Sequence, residues 1–263
     1  MTATADASAA SPHFLHALNP LATIAGPIPA ILVLVFTRDI ATPAAFIALA
    51  YLLLLTGARL TARRLILLLL ALPLAAVVLG LGFSLWTDAS ALDHSSVLLT
   101  IGDYSLYLSA VEVGAATALR LMSIVALALL TGLASTGPDM VRSAVAHLRV
   151  PYRVGYAALA SYRFVPRFRY ELDVIRKAHR VRGTRGGRGP IVAVRRTVGY
   201  IVPLLASAIR HAERVSLSMD ARAFGAHPSR TERHDVPFRA RDTVFIIAFW
   251  LLSAIIIVSI RIF

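Results

Sequence analysis

Hydrophobic and polar positions along the chain separate into blocks. Five stretches are nearly free of charge: Leu21 to Phe36, Ala44 to Leu55, Leu65 to Trp86, Leu106 to Leu133 and Val244 to Ile260. Their lengths approach the ~20 residues that cross a hydrocarbon layer as helix, so they predict five transmembrane helices and an all-α, polytopic membrane fold. The first two are short, and IAGPIPA puts Pro27 and Pro29 inside the first; a stricter count discards one or merges the pair as a re-entrant hairpin. The fourth is longer than one crossing needs and holds Glu112 and Arg120. Those two either line a polar path or meet a partner subunit, or they sit near the ends of a span that starts later, which its length favours.

From 136 to 242 the pattern changes to apolar positions three and four apart, the period of amphipathic helices. Leu172, Ile175, Ala178 and Val181 form one stripe, with Glu171, Asp173, Arg176, Lys177 and Arg180 around it. A second helix, from Pro203 to about Ala223, is more apolar, through Leu204, Leu205, Ile209, Ala212, Val215, Leu217 and Met219. Such a helix needs cover from a membrane surface or another helix, and the two are predicted to cover each other. Aligned, they form a weak repeat: YRFVPRFRYELDVIRKAHRVRG and YIVPLLASAIRHAERVSLSMDARA. Each starts at a proline, Pro166 or Pro203, suited to a first turn where an N–H is unpaired anyway. Each ends on an arginine roughly 25 Å along, at about 1.5 Å per residue. The chain thus divides into an N-terminal tail (1–20), four spans (21–135), a hydrophilic helical domain (136–242) and a last span (243–263).

Charge orients this arrangement. The 263 residues carry a formal +13 at a mean hydropathy of +0.72. Residues 136–242 hold 21 of the 27 Lys and Arg and 8 of the 14 acidic residues, so the whole net charge lies there. Residues 87–105 contain Asp88, Asp93 and Asp103 but no Lys or Arg, whereas Arg59, Arg63 and Arg64 precede the third span. Basic flanks stay inside, which predicts the amino terminus and 136–242 in the cytoplasm, and 87–105 and the carboxyl terminus outside. Arg38 and Arg261 oppose this and are outnumbered. The first eighteen residues lack the basic region and apolar core of a secretion signal and read as a mobile tail.

Candidate chemistry is sparse. No cysteine is present, so disulfides and thiolate zinc sites are excluded. Eight histidines show no ligand spacing, and neither a metal nor another cofactor is expected. No phosphate-binding G-x-x-x-x-G-K-[ST] occurs, and the single lysine, Lys177, lies in a helix. The GLG at Gly80–Gly82 sits within a span and suits close helix packing. RVRGTRGGRGP, residues 180–190, resembles an RNA-binding segment, but TRGGRGP has no aromatic residue to stack on bases; no nucleic-acid partner is expected, and a turn favouring anionic lipid fits better. A lipid-modifying enzyme would need clustered carboxylates for a divalent metal, and a self-sufficient secondary permease would need ionisable residues at mid-membrane and paired broken helices; both fit poorly. What remains is Arg182 with Val181 and Gly183, and Arg222 with Ala221 and Ala223. A tip arginine flanked by small residues can push its planar fork into a partner's groove. It can equally be an ordinary helix end, with a cation at the negative dipole end and glycine at the cap. Recurrence at matched positions on two helices favours the first reading.

Several of these features together resemble the transmembrane T component of energy-coupling factor transporters, a family that includes a cobalt-transport type. They are Asn19-Pro20, FVPRFRYELDVIRKAHRVRG, IVPLLASAIRHAERVSLSMDARAFG, Arg230-Thr231 and a final span after Arg241-Asp242. The family signature is two Ala-Arg-Gly motifs closing two cytoplasmic coupling helices; here they read Val181-Arg182-Gly183 and Ala221-Arg222-Ala223. The alanine at 223 removes backbone freedom beside Arg222, and Gly225 is the expected substitute exit. The resemblance implies a non-enzymatic subunit with coupling helices crossing in an X. Their tips would seat in two ABC-type ATPases, and ATP-driven motion would reorient a membrane-embedded, substrate-binding S component for uptake of a vitamin or transition-metal ion.

Overall fold

A computed structural model describes residues 14–58, 60–87, 97–101, 104–183, 189–228, 232 and 234–262. It is all-α in class. After a 3₁₀ turn at Phe14–Ala17 come α1 (Pro20–Ala25), α2 (Pro27–Phe36), α3 (Ala41–Gly57) and α4 (Ala62–Ile66). A π-helical turn, Leu67–Ala71, joins α4 to α5 (Leu72–Trp86). A hairpin of β1 (Val97–Ile101) and β2 (Tyr104–Tyr107) precedes α6 (Leu108–Ala134), α7 (Gly137–His147), α8 (Tyr152–Val181), α9 (Pro190–Asp220) and α10 (Ala240–Ile262). The chain forms two compact units, residues 1–143 with 236–263, and residues 144–235. Most of the expected N-terminal tail, residues 1–13, lies outside the described residues, as do Arg59, Asp88, Asp93, Asp103 and Arg230-Thr231.

Among the described residues, four helical stretches are long and apolar enough to cross a membrane: Ala62–Trp86, Leu108–Ala134, Ile191–Asp220 and Ala240–Ile262. Three coincide with expected spans. The first two expected spans are the shorter apolar helices Pro20–Phe36 and Ala41–Gly57, near 25 Å each at about 1.5 Å per residue. The break between α1 and α2 follows from Pro27 and Pro29, which cannot donate to the carbonyls four residues back. Neighbouring helices supply the missing donors: the Thr131 hydroxyl on α6 donates to Thr23 O (2.7 Å) and Trp250 Nε1 on α10 to Ala25 O (3.1 Å). In a hydrocarbon layer no water can do this. The π turn has a similar cause, since it ends two residues before Pro73, whose ring excludes the Leu69 carbonyl from a normal turn; Tyr51 Oη donates to Leu68 O within it at 2.7 Å.

Helix α6 is the axis of this unit. Ala126 and Leu127 pack with Ala30 and Leu34 of α2, Phe46 and Ala50 of α3 and Phe249 of α10. Leu130 and Ala134 close a second cluster with Leu15, Leu54 and Leu68. The close approach of α5 to α6 occurs at Gly114: a Cβ there would lie 2.5 Å from Gly80 O and 2.7 Å from Ser84 N. Gly82, half of the GLG signal, has open space beside it. Gly114→Ala is therefore expected to destabilise the solubilised protein by about 1–3 kcal/mol through overpacking. Gly82→Ala serves as its neutral control in thermal unfolding.

Arg120 is not at an end of its span. Helix α6 begins only two residues later than the apolar run, because Leu106 and Tyr107 belong to β2. Arg120 Nη1 instead donates to Thr37 O at 3.3 Å, the residue capping α2, a favourable place for a cation. Glu112 is exposed and not joined to it.

Asn19, Ser143 and Asp242 form a buried polar knot that local sequence signals do not suggest; all three are at most 2% exposed. Asn19 Oδ1 accepts from Leu21 N (2.9 Å) and from the Ser143 hydroxyl (2.5 Å), and Asn19 Nδ2 donates to Val236 O (3.1 Å). Asp242 Oδ1 accepts from Asn19 N (2.7 Å) and Oδ2 from Arg239 N (2.6 Å). The knot joins the starts of α1 and α10 to α7.

Candidate functional site

The second unit is built on α8 and α9. Three ring contacts give their direction: His179 meets Tyr200 (centroids 5.3 Å apart), Phe164 stacks on His211 (4.3 Å), and Tyr152 meets Phe224, just past α9, edge-on (5.7 Å). As one number falls the other rises by nearly the same amount, so the helices run antiparallel along most of their length. Mutual cover is only partial. Leu172 and Ile175 are half-buried, but Val181 is 89% exposed and Ile191, Val194, Val198, Ile201 and Leu205 form an exposed apolar stripe on α9.

The expected helix starts at Pro166 and Pro203 are corrected. Both prolines lie inside their helices. The proline rule holds for different residues: Pro151 precedes the first residue of α8 and Pro190 opens α9. An interior proline forfeits one backbone bond, here those to the Tyr162 and Gly199 carbonyls. Apolar positions three and four apart continue upstream of each proline, through Tyr152, Tyr156, Ala160 and Phe164 and through Ile191, Val194 and Val198, and carry each helix through it. At 30 and 31 residues the helices are about 45 Å long at 1.5 Å per residue, nearly twice the expected reach.

The helix ends are where the sequence places them. Helix α8 stops with Arg182 as its capping residue and Gly183 in the left-handed region at φ +74°; Gly183 N donates to Arg180 O at 3.4 Å. At the end of α9, Ala223 takes the same conformation, φ +54°. Ala223 N donates to Asp220 O (2.9 Å) and Phe224 N reaches back to Met219 O (3.0 Å), the paired bonds of a Schellman ending with Arg222 at the cap. Each arginine therefore directly precedes a left-handed residue. The exit at Gly225 is a correction of detail: that glycine is also left-handed, φ +90°, but Ala223 has already ended the helix. A left-handed alanine is strained by its Cβ. Ala223→Gly is expected to raise stability by roughly 0.5–1 kcal/mol, and Gly183→Ala to lower it by a similar amount, in thermal unfolding.

Val181, Arg182, Gly183, Ala221, Arg222 and Ala223 are all exposed. The TRGGR part of RVRGTRGGRGP, residues 184–188, lies outside the described residues. Antiparallel packing puts the two arginines at opposite ends of the helix pair. The Arg222 end is held by a clasp that the sequence reading missed. Phe224 sits edge-on to both Tyr152 and Tyr156, Tyr152 Oη donates to His227 O (2.6 Å), and Arg153 Nη2 donates to Gly225 O (2.5 Å). Aromatic spacing four apart at the start of α8, Tyr152 and Tyr156, was the available signal.

The sequence profile of the cobalt transport protein family CbiQ matches residues 11–233, which include both tips and all of α1 to α9. The chain belongs to this family. Similar proteins include the energy-coupling factor transporter transmembrane protein EcfT of Thermotoga maritima, 34% identical over 100 residues, 38% of this chain and 37% of that protein. EcfT of Bacillus subtilis is 26% identical over 168 residues (61% and 63%), and EcfT of Streptococcus thermophilus 29% over 171 residues (62% and 65%). The matches thus span between 37% and 65% of these relatives' lengths. Membership in a CbiQ transport family and the apolar helices together make this a multi-pass cell-membrane protein.

Proposed function

We propose that this chain is the T component of an energy-coupling factor importer. In this reading α8 and α9 are coupling helices, and the Arg182 and Arg222 tips each enter a groove on one of two cytosolic ABC-type ATPases. ATP hydrolysis there moves the tips and, through them, a membrane-embedded S component that carries a vitamin or transition-metal ion inward. The chain itself performs no hydrolysis.

The observation that carries the reading is the pair of matched endings, an exposed cap arginine followed by a left-handed residue, in a chain whose relatives are named as energy-coupling factor transmembrane proteins. Separation supports it too. Arginines at opposite ends of helices about 45 Å long are too far apart for one groove, which favours two partner sites. The net charge of 136–242 favours a cytoplasmic location for both.

Affinity capture of the tagged full-length chain from detergent tests the reading. Two nucleotide-binding subunits and a small membrane protein are expected to come with it. Substrate uptake by this chain alone in proteoliposomes would overturn it.

A further inference from the structure

Between α8 and α9, one to two turns before the Arg182 tip, lies a cleft of about 470 Å³. Arg176 and Arg180, four apart on α8, face it with Arg196, His179, Tyr200 and Thr197. Three guanidinium groups in one cleft repel each other, and like charges four apart on a helix are unfavourable. No carboxylate lines it. Asp173 is near but outside the lining; its carboxylate bonds Lys177 at 2.8 Å, and that hydrogen bond first, with the charges of Lys177, Arg176 and Arg180 after it, holds its pKa below the usual carboxylate range. Among the described residues no ion pair neutralises the three arginines. The Thr197 hydroxyl donates to Ala193 O at 3.0 Å, so the donors left to an incoming anion are the guanidinium forks and the Tyr200 hydroxyl.

We propose that this cleft binds a phosphate-bearing anion. Several forked donors converging from two helices suit a tetrahedral oxyanion with multiple acceptor oxygens better than a single planar carboxylate. The cleft also has room for more than a bare ion, as a phosphodiester headgroup requires. Two sources share that chemistry, an anionic phospholipid and a soluble phosphate. The assignment goes beyond the coupling reading and does not rest on it, since none of these residues is a tip residue.

The full-length protein in zwitterionic detergent, offered equal dioleoylphosphatidylglycerol and dioleoylphosphatidylcholine, is read by native mass spectrometry; a second arm titrates inorganic phosphate by calorimetry. Wild-type protein is expected to retain phosphatidylglycerol about ten-fold over phosphatidylcholine. The triple variant Arg176→Gln, Arg180→Gln, Arg196→Gln should bring the two lipids to parity. A matched triple outside the cleft, Arg163→Gln, Arg210→Gln, Arg214→Gln, removes the same charge and should keep the preference. Saturable phosphate binding lost only in the cleft triple would assign the site to a soluble source instead. Identical behaviour of the two triples in both arms overturns the proposal. Should the cleft triple fail to accumulate, Arg196→Gln alone, at an exposed position, gives the same comparison.

Discussion

Tagged protein carrying Arg182→Glu together with Arg222→Glu is expected to come out of the membrane folded but without the two ATPases proposed as its partners. Both side chains are exposed and neither has a structural partner among the described residues, so reversal leaves the helix caps, which use backbone bonds, in place. At a partner's groove the effect is large. Each arginine is proposed to make a forked, charge-assisted contact, and a desolvated contact of that kind is worth on the order of 2–5 kcal/mol. Reversal at both tips should reduce ATPase recovery at least about 100-fold. Single variants should each lose one ATPase contact, given tips about 45 Å apart. Arg195→Glu, on the same helix pair, controls for net charge. Full ATPase recovery and normal uptake by the double variant would end the coupling assignment, whatever happens at the arginine cleft.

The second large effect is expected at Asp242. Asp242→Ala strands two backbone N–H groups, those of Asn19 and Arg239, that now donate to its carboxylate. A buried donor without a partner costs about 1–3 kcal/mol, so the pair should lower stability by about 2–5 kcal/mol. Thermal unfolding and yield from membranes read it. Asp242→Asn keeps one carbonyl acceptor and should lose less. Equal stability of the alanine variant would mean that water replaces the carboxylate.

The tip arginines were legible because a helix end is a local event: a cation, then a residue able to turn left-handed, within three positions. The helix starts were not, because four prolines obey the same local rule, and only flanking periodicity separates Pro151 and Pro190 from Pro166 and Pro203. The spans were legible from their lack of charge, whereas their lengths were altered by prolines whose freed carbonyls are satisfied from distant Thr131 and Trp250. The knot was hidden for the same reason. Asn19 caps the start of α1 and Asp242 lies in the first turn of α10, each a local role that accounts for the residue by itself. Their meeting depends on packing between segments 223 residues apart. Most of the hairpin lies in 87–105, which reads as an outer loop, and only Leu106 and Tyr107 fall in the fourth apolar run, because short apolar stretches do not distinguish strand from helix.

That knot also sets an order of events during synthesis. Asp242 emerges 223 residues after Asn19, a delay of roughly 10–45 s at bacterial and eukaryotic elongation rates. Until then the amide of Asn19 lacks its acceptor within the protein and the carbonyls of Thr23 and Ala25 wait for α6 and α10 in turn. The first helices are thus inserted early and locked late, and residues 144–235 are made while the bundle stays open. Truncation before residue 242 should leave a membrane-inserted chain whose opening segment is still accessible to protease.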